Sequence, residues 1–273
     1  MLTRDTTAYK SNFRNEMGNM EPWEQAARHF IDICSFKDDI ETVFLTGSHA
    51  FGNADEFSDI DLFIVLNDRV KYRERGNKKV AGFRIEYFAN PVREVIKTID
   101  NRYANAELND INMILGGVVI FDKNEISTKL MSYCREKLES EIPKMSPYDV
   151  IMGLYLFWDN FDELGRAYKK QTPDFAMQYF RFVQNAFEMY SRFTCSPVPG
   201  YHKMHKWLTD NEYIKKYGLP EHKDPDFIKI IKPAFECDNT DAMYELSKKL
   251  YEYVTEKMGG IDIDNFVMHG PCD

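Results

Sequence analysis

No apolar run in this 273-residue chain approaches the roughly 20 residues that span a bilayer, which excludes an integral helical membrane protein. The opening stretch MLTRDTTAYKSNFRNEMGNM is polar and has no signal-peptide core. Cysteine is sparse. Cys34, Cys134, Cys195, Cys237 and Cys272 are scattered, odd in number and form no C-x-x-C, which points to a reduced, cytoplasmic setting rather than a disulfide-stapled secreted domain. A basic excess is also missing: 35 Lys and Arg stand against 44 Asp and Glu, for a net charge of −9. That argues against a protein that grips a nucleic-acid duplex, which needs clustered positive charge. There is no internal repeat and no low-complexity tract.

What is present suffices for a core. Hydrophobic residues make up 44% of the chain and aromatics 14%, enough for one large domain or two ordinary ones. Residues 1 to 20 read as a loose arm or short helix. Glu21-Pro22 opens a helix to about Phe36, with Trp23, Ala26, Phe30, Ile31 and Cys34 on one face. Strands are expected at Val43–Thr46, Asp61–Leu66, Val80–Phe88 and Val118–Phe121. Asn67–Lys79 reads as a hairpin or exposed loop. Helices are expected from Pro91 to Asp100, Ala104 to Leu115 and Glu125 to Glu141. The pattern then changes. Ser146-Pro147 reads as an N-cap followed by proline at the first helical position. Beyond it only helices are expected: Tyr148–Lys169, Pro173–Phe193, His202–Leu208, Pro225–Glu236 and Asp241–Met258. Gly259-Gly260 closes the last, and IDIDNFVMHGPCD is a terminal strap or disordered. The expected fold class is an α/β (α+β) domain with a mixed sheet over 1–143, followed by an all-α helical bundle over 144–273.

The densest signal is Thr46 to Leu66, TGSHAFGNADEFSDIDLFIVL. A turn with Gly47 and Ser48 can aim backbone N–H groups at phosphate oxygens. Asp59 and Asp61, two apart on a strand, point the same way and can grip divalent cations. The rival reading makes Asp59 a turn or cap residue before a buried strand. Against it, Asp61 sits just before a long apolar run, where an unpaired carboxylate is costly.

This stretch resembles the signature of the DNA polymerase β-type nucleotidyltransferase superfamily: Val43-Phe44-Leu45, then Gly47-Ser48, ten residues, and Asp59-Ile60-Asp61. The layout as a whole is similar to that of the antibiotic-modifying (aminoglycoside and lincosamide) members. The resemblance implies a third carboxylate on a later strand, for which Glu86 in Phe83–Phe88 is the candidate; many members carry Asp there. It implies transfer of a nucleoside monophosphate from an NTP, with ATP the expected one, to an acceptor hydroxyl, with release of pyrophosphate. Two Mg2+ ions would be held by Asp59, Asp61 and Glu86, and the β- and γ-phosphates by Gly47 and Ser48.

Other assignments keep two readings each. His49 either approaches phosphate or decorates the turn. Lys203 and Lys206 share a helix face and either neutralise phosphate or form a solvated face; Arg84, Lys78 and Lys79 are alternatives. The general base is Glu86 or a carboxylate of the helical half, Asp159 or Glu163. The net charge favours a small-molecule hydroxyl acceptor, and would draw a cationic one. A protein-modifying AMP transferase and a non-catalytic nucleotide-binding module are the rival functions. The first usually lacks so large a helical half, and the second would be expected to have lost Asp59 or Asp61.

Overall fold

A computed structural model describes residues 20–217 and 220–270. The expected N-terminal arm lies outside the described residues, apart from Met20. The chain divides into two compact units, 1–103 with 108–141, and 104–107 with 142–273.

The first unit is built on five strands: β1 (Ile40–Thr46), β2 (Ile60–Leu66), β3 (Glu74–Val80), β4 (Phe83–Pro91) and β5 (Val118–Asp122), ordered β3-β4-β2-β1-β5. Only β2 and β4 run parallel; the other neighbours are antiparallel, so the sheet is mixed. Its helices are α1 (Pro22–Ile33), the short α2 (Gly47–Phe51), α3 (Val92–Tyr103), α4 (Asn109–Gly116) and α5 (Ile126–Glu139).

Strand alternation sends Ile60, Leu62 and Ile64 to one face, where they bury with Val43, Leu45, Ile85, Tyr87 and Ala89 against Ala26, Ala27 and Phe30 of α1. The opposite face carries Phe44 and Phe63, whose rings meet at 6.4 Å. Helices α3, α4 and α5 contact the sheet as a second layer. Central β2 is buried at every position except Asp61, which is half-buried.

Four expectations are corrected. The first helix ends at Ile33, not Phe36, because Cys34 turns extended with φ −67° and ψ 150°. The charged stretch read as hairpin or loop contains the edge strand β3, whose lysines and arginines suit an edge facing water. Val80 belongs to that strand. Ala81 and Gly82, at φ 49° and 92°, form a two-residue turn, and the next strand starts at Phe83. The helix expected from Ala104 begins at Asn109, after Ala106 adopts φ 63°.

The second unit is helical: α6 (Pro147–Lys170), α7 (Phe175–Phe193), α8 (Tyr201–Thr209), α9 (Asn211–Tyr217), α10 (Pro225–Ala234) and α11 (Thr240–Lys257). Helix α9 was not expected from the sequence. Ser146 does cap α6, its hydroxyl accepting from Asp149 N at 3.1 Å. The core is aromatic: Phe157 stacks on Phe182 at 4.8 Å and Phe161 on Tyr251 at 4.3 Å. In the C-terminal segment Phe266 stacks on Tyr155 at 4.7 Å, a strap rather than a free tail.

Candidate active site

Strand β1 ends where the chain must turn tightly beside β2. Thr46 pairs with Asp61, and Gly47 follows at φ +64° to open α2. A Cβ at position 47 would lie 1.9 Å from Asp61 Oδ2. Glycine is required twice over, by the left-handed backbone and by the close approach of the carboxylate. Ser48 follows, half-buried.

The carboxylates converge through strand register. Asp61 lies directly beside Glu86 in the parallel β2–β4 pairing, and Asp59 stands two residues before Asp61. All three are half-buried, and each offers an oxygen within 4.8 Å of those of the other two. Three carboxylates with no histidine or cysteine among them form an all-oxygen donor set, the chemistry of a hard cation such as Mg2+. The residues present therefore fit the metal that the motif implies.

The turn before β2 uses a different residue from the one the rival reading required. Asp55 Oδ1 accepts from Phe57 N at 3.0 Å and from Ser58 Oγ at 2.9 Å. The Ser58 bond, then the Phe57 bond, hold the Asp55 carboxyl below its usual range. Asp59 is left to face the other carboxylates.

Cations edge the cluster. Arg75 Nη2 lies 3.3 Å from Glu86 Oε1, with its guanidinium 4.1 Å above the Phe88 ring, and Arg84 Nε lies 3.9 Å from Asp59 Oδ2. The role of Arg75 was missed from the sequence. It would have emerged had Glu74–Val80 been read as a strand, because Arg75, Asn77 and Lys79 then alternate onto one face.

His49 packs on Trp23, ring centroids 4.7 Å apart. Burial pushes its imidazole below 6.5, and the nearby Asp59 charge only partly opposes this. Its Nε2 is buried and has no hydrogen-bond partner among the described residues.

The remaining candidates lie in the helical unit. Lys203 and Lys206 are exposed on α8, while Met204, Trp207 and Leu208 of that helix are buried. Asp159 and Glu163 are exposed on α6, and Glu163 Oε1 is bridged to Arg166 Nη1 at 2.8 Å.

Residues 27–105 match the nucleotidyltransferase domain family, a span that contains the glycine turn and all three carboxylates. No curated protein matches. Among solved structures, a nucleotidyltransferase-like protein from Exiguobacterium sibiricum 255-15 is similar at 12% identity and a TM-score of 0.44, covering 86% of this chain and 74% of that one.

Proposed function

We propose that the nucleotidyltransferase domain of residues 27–105 transfers a nucleoside monophosphate from an NTP, ATP in the first instance, to a hydroxyl of a small molecule and releases pyrophosphate. The observation that carries this reading is the meeting of Asp59, Asp61 and Glu86 within 4.8 Å beside the Gly47 turn.

Two Mg2+ ions held by Asp59, Asp61 and Glu86 would supply Lewis-acid stabilisation of the charge that develops on the transferred phosphoryl group. The Gly47 and Ser48 amides hold the β- and γ-phosphates. Glu86 takes the proton from the acceptor hydroxyl as its oxygen bonds to the α-phosphorus and the bond to pyrophosphate breaks. Glu86 is favoured over Glu163 as this base because it stands in the carboxylate cluster itself; each of the two has an arginine partner, Arg75 at 3.3 Å and Arg166 at 2.8 Å. The helical region, 144–273, is the candidate that the family resemblance offers for acceptor recognition, with the antibiotic class among the compounds to screen.

The test is pyrophosphate release with each NTP, Mg2+ and an acceptor panel resolved by mass spectrometry. Asp61→Asn and Asp59→Asn should each lower turnover by about 100-fold or more, since each removes a charged metal ligand. Wild-type turnover in both variants would overturn the assignment. Glu86→Gln should be similarly impaired, whereas an Asp159→Ala/Glu163→Ala double variant should keep its rate; the reverse pattern would move the base to α6.

A further inference from the structure

The sheet face that holds the carboxylates continues past Glu86 onto the β3–β4 hairpin, and there its charge changes sign. In the antiparallel register Asn77 lies opposite Glu86 and Lys79 opposite Arg84, so Asn77, Lys79 and Arg84 share the face of Asp61. A groove of about 680 Å³ opens at this end, lined among others by Phe57, Ser58, Asn77, Lys79 and Arg84. It starts where the carboxylates stop: Ser58 directly precedes Asp59, and Arg84 both lines the groove and reaches to 3.9 Å from Asp59 Oδ2. Its volume is that of a small-molecule site, which runs from roughly 300 to 1,000 Å³.

Its charge is distinctive. Lys79 and Arg84 stand on the groove's face against the carboxylate of Glu56, while Lys78, which also lines it, alternates to the other face. The chain as a whole carries −9 and would draw cations from a distance. Within a Debye length of about 8 Å, however, the nearest charges decide what is held, and the nearby Asp59 carboxylate, 3.9 Å from Arg84, is one that a bound Mg2+ would neutralise. Phe57, 81% exposed, adds an apolar ring to the groove.

Position separates this groove from the nucleotide. In the sheet order, β1 and the Gly47 turn flank β2 on one side, and β4 and β3 on the other. A phosphoryl group is displaced with the attacking and leaving oxygens roughly in line. If the NTP phosphates lie on Gly47 and Ser48, pyrophosphate departs on the β1 side, and the hydroxyl must approach from the β4 side, where the groove lies.

We propose that the groove between the Glu56–Ser58 loop and the β3–β4 hairpin is the acceptor site, and that its acceptor is a hydroxyl compound bearing a phosphate. Lys79 and Arg84 hold the phosphate, Phe57 covers the carbon skeleton, and the hydroxyl is presented to Glu86. The proposal rests on the transferase reading above and narrows its substrate class.

The test uses the full chain and calorimetric titration. ATP·Mg2+ is titrated first. Matched probes follow: ribose against ribose 5-phosphate, glycerol against glycerol 3-phosphate, with kanamycin as a cationic polyol. Each phosphomonoester should bind at least about tenfold more tightly than its parent, as charge-assisted hydrogen bonds allow. The Lys79→Glu variant, altered only at an exposed side chain, should lose that preference while its ATP·Mg2+ affinity stays within about twofold of wild type. Equal binding of parent and phosphomonoester, or stronger binding of kanamycin, would overturn the proposal. So would a variant that loses ATP·Mg2+ affinity instead, because the groove would then belong to the nucleotide. Failure of the wild-type chain to bind any of the four NTPs with Mg2+ would remove the transferase reading itself, and the acceptor assignment with it.

Discussion

Gly47 shows how much a single residue can carry. The motif singles it out as the turn proposed to bind phosphate, and its packing against Asp61 adds a second demand. Alanine there must adopt a left-handed conformation costing about 1–2 kcal/mol, and its methyl would collide with the Asp61 carboxylate. Gly47→Ala should therefore lower the melting temperature modestly and pyrophosphate release by about 100-fold or more, because the displaced group is a proposed metal ligand. A variant of lower stability but full activity would show that the turn is structural only. Glu86 makes a different point. Its distance from Asp61 follows from its place beside it in the β2–β4 register, so the longer Glu side chain is no obstacle to meeting the aspartates.

At the level of elements, the β3–β4 hairpin is the part the sequence disguised. Its edge strand is ERGNKKV, with a single apolar residue, so periodicity gives no strand signal. The turn is equally unmarked, because a two-residue turn with both φ positive favours Asn-Gly and this one is Ala-Gly. Ala81 is thus strained, and Ala81→Asn should stabilise the first unit by about 1 kcal/mol. The check is a higher denaturant midpoint at unchanged slope; no shift would mean that the turn relaxes without cost. Helix α6 is the contrasting case, legible from Ser146-Pro147 because a capping side chain acts locally. Ser146→Ala should cost the helical unit about 1 kcal/mol.

For the molecule as a whole, acid should destabilise the helical unit through one polar cluster. The helical unit buries a polar cluster in which Asp224 Oδ2 accepts from Tyr190 OH at 2.6 Å and Tyr253 OH at 2.9 Å. His222 Nδ1 accepts from Asp224 N at 3.0 Å, and its ring faces Phe227 at 5.2 Å. Burial lowers the His222 pKa below 6.5, outweighing the opposing pull of Asp224. Burial raises the Asp224 carboxyl, but the Tyr190 bond, with the Phe227, Tyr253 and Asp226 bonds, holds it below 3.8. The signs agree. As pH falls through 6.5 the unfolded chain takes up a proton that folded His222 refuses. Below 3.8 the same holds for Asp224, whose stabilisation is lost as pH passes its folded value. The helical unit should lose stability progressively below pH 6.5. In a Trp23→Phe background, Trp158 and Trp207 report that unit alone. His222→Asn should flatten the upper part of the profile, and an unaltered profile would remove His222 from the account.

The sequence by itself determined the nucleotidyltransferase motif, the mixed sheet followed by helices, and the pair Asp59 and Asp61. Each of these is local: a turn, a two-residue strand period, a switch from period two to period 3.6. Glu86 was reachable only as what a family resemblance implies. Its meeting with the aspartates depends on β2 and β4 pairing in parallel across 25 residues of chain, and no local pattern encodes a register. The same holds for Arg84, which reaches Asp59 through that β2–β4 pairing, and for Arg75, which reaches Glu86 because β3 folds back on β4. It holds too for Asp55, which took the turn role that Asp59 could have filled. Local chemistry supplied the donors; long-range strand pairing decided which of them share a face, and so where a metal can sit.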